Sequence, residues 1–241
     1  MGEPRPATPD TLDWKRLLLL AGFVAAGVAL WDSRALWPFK MLVVMIHETG
    51  HALASLLVGG SVSKVTLASD ESGACLSSIP DGFFAKVLVY SAGYVGSALA
   101  SAGLMIATFR FQAKRGVLLA ACVWLSAMAL FYARDAFTLL FCLGTATAVG
   151  LAAKYLPAQA VTWFNLFLAS FCALYAAMDL RDDLWNSAVR AHSDAALLAG
   201  VTFVPAVVWA ALWTLGSVGI LAGSGWWAVR RRQRLGLATP G

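Results

Sequence analysis

Apolar residues fill seven long stretches of the chain, and short polar segments separate them. About 20 apolar residues cross a bilayer as a helix, with roughly 17–25 tolerated. Two of the stretches are at the short end of this range, and one of those two could be re-entrant. The pattern therefore predicts an all-α polytopic membrane protein with six or seven transmembrane helices. The stretches are 14–31, 38–58, 84–109, 116–133, 136–153, 158–178 and 200–229.

The two longest polar intervals are 59–82 and 179–199. The first contains "SVSKVTLASDESGACLSSIP", in which apolar and polar residues alternate imperfectly around a break at "DESG". Alternation on both sides of a turn sequence that ends in Gly is typical of a β-hairpin. We therefore expect a small membrane-associated β-hairpin after the second apolar stretch, with an irregular polar loop as the alternative.

Composition supports the membrane assignment. The 241-residue chain is 60% hydrophobic and 13% charged, whereas soluble domains are near 25% charged. Its four cysteines form no CxxC pair, so neither a disulfide framework nor a cysteine metal site is expected. The bilayer is the expected surrounding of the protein, as a multi-pass protein of the cell membrane.

We predict three parts: a disordered polar tail (1–13), a single transmembrane domain (14–229) and a basic C-terminal tail (230–241). Four arginines of the last part follow Trp226 and Trp227. An aromatic belt followed by basic residues is how a last transmembrane helix ends at the cytoplasmic face. This explains much of the net charge of +5, and no nucleic-acid partner is expected.

Three ionisable residues fall within five positions of "MLVVMIHETGHALASLLVGG", which forms most of the second apolar stretch. A charge inside a membrane costs about 2.5–3.5 kcal/mol on insertion scales, so something must compensate for His47, Glu48 and His51. On a helix, residues four apart project about 40° apart, and two neutral imidazoles so placed can hold Zn²⁺. Glu48 is close enough to act on a zinc-bound water without ligating the metal. A polar cluster for helix packing or proton relay is the alternative.

A resemblance now becomes specific. "HETGH" inside a transmembrane helix resembles the site-2-protease family of intramembrane zinc metalloproteases, whose motif is H-E-x-G-H. The hairpin and a helix opening "SAGY" follow in the family's order, so the likeness covers residues 41–104 by motif and favours the compact type without a PDZ domain. It implies a Zn²⁺ cofactor and hydrolysis of peptide bonds in transmembrane protein substrates. The zinc would lower the pKa of its water toward ~7, and Glu48 would take the proton.

The family's third zinc ligand is an Asp near the start of a later helix, usually in an L-D-G setting that this chain lacks. Asp194 is our first choice, because "SDA" ahead of a Pro-containing apolar helix resembles a compact branch without L-D-G. Asp135 is the alternative third ligand, since it begins the span where the family's topology places the Asp. Glu71 and His192 are minor candidates. The other acids of the second polar interval, expected only to mark the membrane boundary, are Asp179, Asp182 and Asp183.

Other intramembrane proteases match poorly. A rhomboid-like serine enzyme needs G-x-S-G, which "LAGSGW" does not supply, and the paired G-x-G-D-like motifs of the aspartyl type are absent from the sequence. The remaining alternative is a non-proteolytic zinc-binding membrane protein, either a degenerate protease acting as a chaperone or a metal transporter. Glu48 favours hydrolysis, because a cage of ligands does not require it.

Overall fold

The computed structural model describes residues 11–185 and 193–231. Within these residues the chain is predominantly helical, with two small antiparallel sheets. The described helices are α1 (Trp14–Ala29), a short 3-10 turn (Arg34–Leu36), α2 (Trp37–Leu57), α3 (Phe83–Phe109), α4 (Lys114–Phe131), α5 (Ala136–Tyr155), α6 (Ala158–Trp185), α7 (Asp194–Thr202) and α8 (Ala206–Val229). The described strands are β1 (Thr11–Leu12), β2 (Ser61–Leu67), β3 (Gly73–Ser78) and β4 (Arg230–Arg231).

Among the described residues, five helices are long and apolar enough to cross a membrane. These are α3, α4, α5, the Ala158–Tyr175 part of α6 and the Ala206–Ala228 part of α8. The helix α2 has 21 residues but carries Lys40 and the histidine motif, and α1 has only 16 residues. The prediction of an all-α polytopic membrane protein is confirmed, with a count of spans near the six or seven expected.

The predicted β-hairpin is also confirmed. Strands β2 and β3 pair antiparallel from Ser61↔Ser78 to Leu67↔Gly73, with a register shift near Lys64. The outer side of β2 is attached to the junction of α4 and α5, because the Leu67 amide donates to Thr138 Oγ1 at 2.8 Å. The other edge of the hairpin, formed by β3, is therefore the one left facing the interior of the bundle.

The single span predicted over 200–229 is wrong in one respect. The chain forms two helices here, since α7 ends at Thr202 and α8 begins only at Ala206. Phe203 closes α7 in the left-handed region with φ 59°, a common way to end a helix. Pro205 follows, and its missing amide cannot continue the helical hydrogen bonds. The result is a short helix that begins at Asp194 and packs through Ala195 and Leu198, both buried.

Helices α2 and α3 approach each other closely along small residues. A Cβ atom on Gly50 would lie 2.3 Å from the carbonyl oxygen of Ala92, so the two backbones touch at this point. Helix α2 is central to the core, with Met41, Val43 and Met45 fully buried. The histidine motif is thus part of the most enclosed helix surface.

The two ends of the described chain lie side by side. Thr11 and Leu12 of β1 pair with Arg231 and Arg230 of β4. The Arg16 guanidinium adds a hydrogen bond to the carbonyl oxygen of Ala228 at 3.3 Å. The predicted tails at 1–13 and 230–241 lie mostly outside the described residues, and the disorder of the first tail remains a prediction.

Candidate metal centre

Three side chains from two helices converge on one point. The Nε2 atoms of His47 and His51 lie 3.1 and 3.0 Å from Asp194 Oδ2 and 2.9 Å from each other. Within the described part of the chain, this is a group of three side chains whose geometry could hold a metal ion. The side chains of His47 and Asp194 are only 12% and 16% exposed.

Local structure explains how each ligand atom reaches this point. The histidines are four residues apart on α2 and therefore share one face of the helix. Asp194 is the first residue of α7, where Ser193 caps the helix by accepting from the Ala196 amide at 3.3 Å. A carboxylate in the first turn of a helix is stabilised by the positive end of the helix dipole.

A backbone carbonyl fixes the orientation of one imidazole. His51 Nδ1 lies 2.7 Å from the carbonyl oxygen of Val89, which can only accept, so Nδ1 carries the proton. In the neutral ring, the Nε2 atom of His51 then presents a lone pair toward His47 and Asp194. Such a hydrogen bond from the second nitrogen is typical of histidines that bind metals.

The residues fit a zinc ion. Two imidazole nitrogens and a carboxylate oxygen are electron-rich atoms, and placing them about 3 Å apart is unfavourable unless a proton or a cation lies between them. Atoms bound to tetrahedral zinc at about 2.0–2.2 Å are separated by roughly 3.3 Å, close to the 2.9–3.1 Å observed. A His₂Asp set also leaves the fourth position that catalytic zinc sites keep open.

Gly93 makes room for the two imidazoles. A Cβ atom at this position of α3 would lie 2.2 Å from His47 Nε2 and 2.5 Å from His51 Nε2. Any side chain here would therefore displace the atoms that converge on Asp194. Tyr94, the next residue, packs edge-to-face on the His47 ring with the ring centroids 4.7 Å apart. The sequence "SAGY" thus supplies the wall behind the histidines.

A cavity of about 730 Å³ opens beside this group and is lined by His47, Glu48, His51 and Asp194 together with residues of β3. Glu48 is only 6% exposed. It lies close to the start of β3, since a Cβ atom on Gly73 would be 2.9 Å from Glu48 Oε1. The convergent group, an adjacent carboxylate and an extended strand therefore share one cavity.

The edge of the cavity at the hairpin turn is acidic. Hydrogen bonds from the Ser72 hydroxyl and the Ser72 amide hold the pKa of Asp70 below its usual value. This carboxylate is therefore ionised at neutral pH, and it adds negative charge at the hairpin end of the cavity.

The remaining candidate ligands lie elsewhere. The Asp135 carboxylate caps α5 by accepting from the amide and the hydroxyl of Thr138, both at 2.8 Å, and it is not a member of the convergent group. Glu71 Oε2 is paired with Lys40 Nζ at 2.8 Å. His192 and the side chains of Asp179, Asp182 and Asp183 lie outside the described residues.

Sequence reasoning missed Lys40. This lysine is 6% exposed, and it lies in α2 among fully buried apolar residues. Its pairing with Glu71 joins positions 31 residues apart, which no local pattern reveals. The available indication was a lone lysine in an apolar stretch, since intramembrane charges are rare and usually paired. Gly93 was also missed as a site residue, because its role depends on the contact between two helices.

Apolar helices that bring two histidines four residues apart and one carboxylate together at a cavity have the arrangement expected of a membrane metalloprotease. In a comparison with protein families, residues 20–224 match the Peptidase M50B-like family. The chain belongs to this family, which is the site-2-protease family, as its motif indicates. M50 peptidases are zinc metalloproteases. Comparison with curated proteins and with solved structures finds no match.

Proposed function

We propose that the protein is an intramembrane zinc metalloprotease that hydrolyses peptide bonds of membrane-embedded protein substrates in the cell membrane. The observation that carries the proposal is the convergence of His47, His51 and Asp194 next to Glu48. A zinc-binding protein without catalytic function would need the three ligands but would have no use for a buried carboxylate at their side.

Each residue then has a distinct role. His47, His51 and Asp194 would hold Zn²⁺, and the negative charge of Asp194 offsets part of the metal charge where water is scarce. Zinc in such a site supplies Lewis-acid activation of water and of the scissile carbonyl. Glu48 accepts the proton of the attacking water and passes it to the leaving amine, as a general base and then a general acid.

The hairpin has a role in presenting the substrate. A transmembrane helix hides its peptide carbonyls in its own hydrogen bonds, so the cleaved segment must first become extended. The β3 strand lines the cavity beside Glu48, whereas β2 is attached through Leu67 to Thr138. We assign β3 as the strand on which an extended substrate segment adds by backbone hydrogen bonds.

Replacement of Glu48 by Gln tests the proposal. Gln has nearly the same shape, but its amide cannot accept a proton from water at neutral pH. We expect Glu48→Gln to keep the zinc content of the wild type, because Glu48 is not a ligand, and to lose cleavage of a transmembrane test substrate. Loss of one general base typically lowers the rate by about 10²–10⁴-fold.

Elemental analysis and cleavage in proteoliposomes give the two readouts on the same preparations. Equal turnover by Glu48→Gln and the wild type would contradict the proposed mechanism. A wild type that binds zinc but cleaves no membrane-embedded substrate would favour the non-proteolytic alternative.

A further inference from the structure

A partly buried ion pair joins the hairpin to the motif helix α2, outside the convergent group. Lys40 Nζ lies 2.8 Å from Glu71 Oε2 and 4.6 Å from the centre of the Trp31 ring. The Lys40 side chain is 8% exposed and that of Glu71 is 34% exposed. A cation in an apolar helix is costly unless it is paired, so the carboxylate and the aromatic ring are its compensation.

Glu71 adopts a backbone conformation that its residue type disfavours. Its φ of 72° lies in the left-handed region, which Gly and Asn occupy far more readily than Glu. The turn is closed by backbone hydrogen bonds between Ala68 and Ser72 and between Glu71 and Ala68. Gly would suit this position better as regards the backbone alone, so the contribution of Glu71 is its side chain.

The ion pair lies at the end of the hairpin where β3 begins. Trp37 adds a second connection between α2 and the hairpin turn, because its indole Nε1 donates to the carbonyl oxygen of Ser69 at 3.0 Å. Two residues after Glu71, the Gly73 backbone packs against Val44 and Glu48 so closely that no Cβ would fit. The Lys40–Glu71 contact thus lies two residues along the chain from the contact between Gly73 and Glu48.

We propose that Lys40 and Glu71 are positioning residues that hold the β3 edge beside Glu48, so that an extended substrate segment is bound in register with the proposed base. The effect on catalysis rests on the proposed function, whereas the Lys40–Glu71 contact is independent of that function. Neither residue touches the proposed metal ligands in the hydrogen bonds and ion pairs described. The pair should therefore affect substrate binding and hairpin mobility without changing metal content.

Neutral variants of each partner test the proposal against a matched control. Lys40→Met and Glu71→Gln remove one charge each, and Asp81→Asn removes the exposed partner of a second ion pair, with Lys86 at 3.2 Å. Hydrogen exchange of the amides in 61–78 is measured first, together with zinc content. We expect β3 amides to exchange roughly tenfold faster in Lys40→Met and Glu71→Gln, because each change removes one charge from a charge-assisted hydrogen bond. Asp81→Asn should behave as the wild type.

The kinetic readout is the KM and kcat for a transmembrane test substrate. We expect the two variants to raise KM by about tenfold with a smaller change in kcat, because they weaken substrate binding and leave Glu48 in place.

Two further variants refine the hydrogen-exchange measurement. Lys40→Arg keeps a cation, so most of the protection of the β3 amides against exchange should be retained. Glu71→Gly separates the effect of the side chain from that of the backbone, because it relaxes the turn and still removes the carboxylate. Its β3 amides should exchange as fast as those of Glu71→Gln.

Two results would overturn the positioning role. Unchanged hydrogen exchange in Lys40→Met and Glu71→Gln would show that the ion pair does not hold the hairpin in place. A KM equal to that of the wild type would show that fixing the hairpin has no effect on substrate binding. If the wild type cleaves nothing, the proposed protease function fails, and hydrogen exchange alone decides whether the pair holds β3.

Discussion

At the scale of single residues, the convergence of His47, His51 and Asp194 depends on a missing side chain as much as on those present. The imidazoles of His47 and His51 can meet Asp194 because Gly93 leaves the space they occupy. The Val89 carbonyl oxygen, on the same helix, accepts a hydrogen bond from His51 Nδ1 and so directs the other nitrogen toward Asp194. Helix α3 therefore both orients and accommodates the imidazoles of α2.

Replacing Gly93 by Ala should abolish metal binding. The added Cβ would lie 2.2 Å from His47 Nε2, which is far inside van der Waals contact, so the imidazole must move away from Asp194. Gly103→Ala is the matched control, because it is on the same helix with no atom within 4 Å of its Cβ. We expect that variant to keep its zinc and gain about 0.5–1 kcal/mol of stability, as Ala does over Gly in helices.

Elemental analysis of both purified variants checks this expectation. Stoichiometric zinc in Gly93→Ala would mean that the ion is bound away from the Nε2 atoms of the histidines.

The sequence pointed to His47, Glu48 and His51 as candidate site residues but left two candidates, Asp194 and Asp135, for the third ligand. His47, Glu48 and His51 were readable because their spacing is local and their apolar surroundings make them conspicuous. Asp194 and Asp135 both begin helices, so local pattern treats them alike, and only the packing of α7 separates them. The Lys40–Glu71 pair and the contact of Gly93 with the histidines join positions that are distant in the chain. The periodicity of apolar residues describes only neighbouring positions, so it cannot predict such contacts.

At the scale of secondary-structure elements, the junction of α4 and α5 anchors the hairpin. The Leu67 amide donates to Thr138 Oγ1, and the Thr138 hydroxyl donates in turn to Asp135 Oδ2 at 2.8 Å. Asp135 therefore caps α5 and, through the Thr138 hydroxyl, also helps to fix the position of β2. Most helix boundaries were predicted within a few residues, whereas the division of the last stretch into α7 and α8 was not. The left-handed backbone conformation of Phe203 cannot be read from a hydrophobicity pattern. Pro205 was the one sequence feature that indicated a break between the two helices.

Replacing Asp135 by Ala should cost stability and leave the metal centre intact. The change removes the N-cap of α5, which typically contributes about 0.5–2 kcal/mol, and leaves the Thr138 hydroxyl without its acceptor. Asp135→Asn is the control, since Asn caps helices nearly as well as Asp. The unfolding midpoint should fall for Asp135→Ala and change little for Asp135→Asn, with zinc content equal in both. Loss of zinc from either variant would restore Asp135 as the third ligand.

At the scale of the whole molecule, the pairing of β1 with β4 brings the two described ends of the chain to one face of the bundle. This pairing predicts that both described ends lie on the same side of the membrane. Arg16, Arg110 and Arg230 lie at this end, where Arg110 stacks on Trp227 and Arg16 on Phe109. An excess of Lys and Arg is typical of the cytoplasmic face of a membrane protein.

Both ends of the chain should therefore face the cytoplasm. Reporter fusions at the N-terminus and the C-terminus, each active only in the cytoplasm, should both be active in cells. A third reporter should not be inserted into the turn at 68–72, because that turn packs on α2 and an insertion would disturb the contact. Opposite signals from the two termini would contradict the pairing of β1 with β4.

The most direct test of the account is the zinc content of the purified wild type, His47→Ala and Asp194→Ala, measured by elemental analysis. The proposed centre uses one nitrogen from each histidine and one oxygen from Asp194, and a zinc site that loses a ligand binds far more weakly. We expect about one zinc per chain in the wild type and little in either variant. Stoichiometric zinc in Asp194→Ala would show that another group completes the site, and stoichiometric zinc in His47→Ala would contradict the metal centre itself.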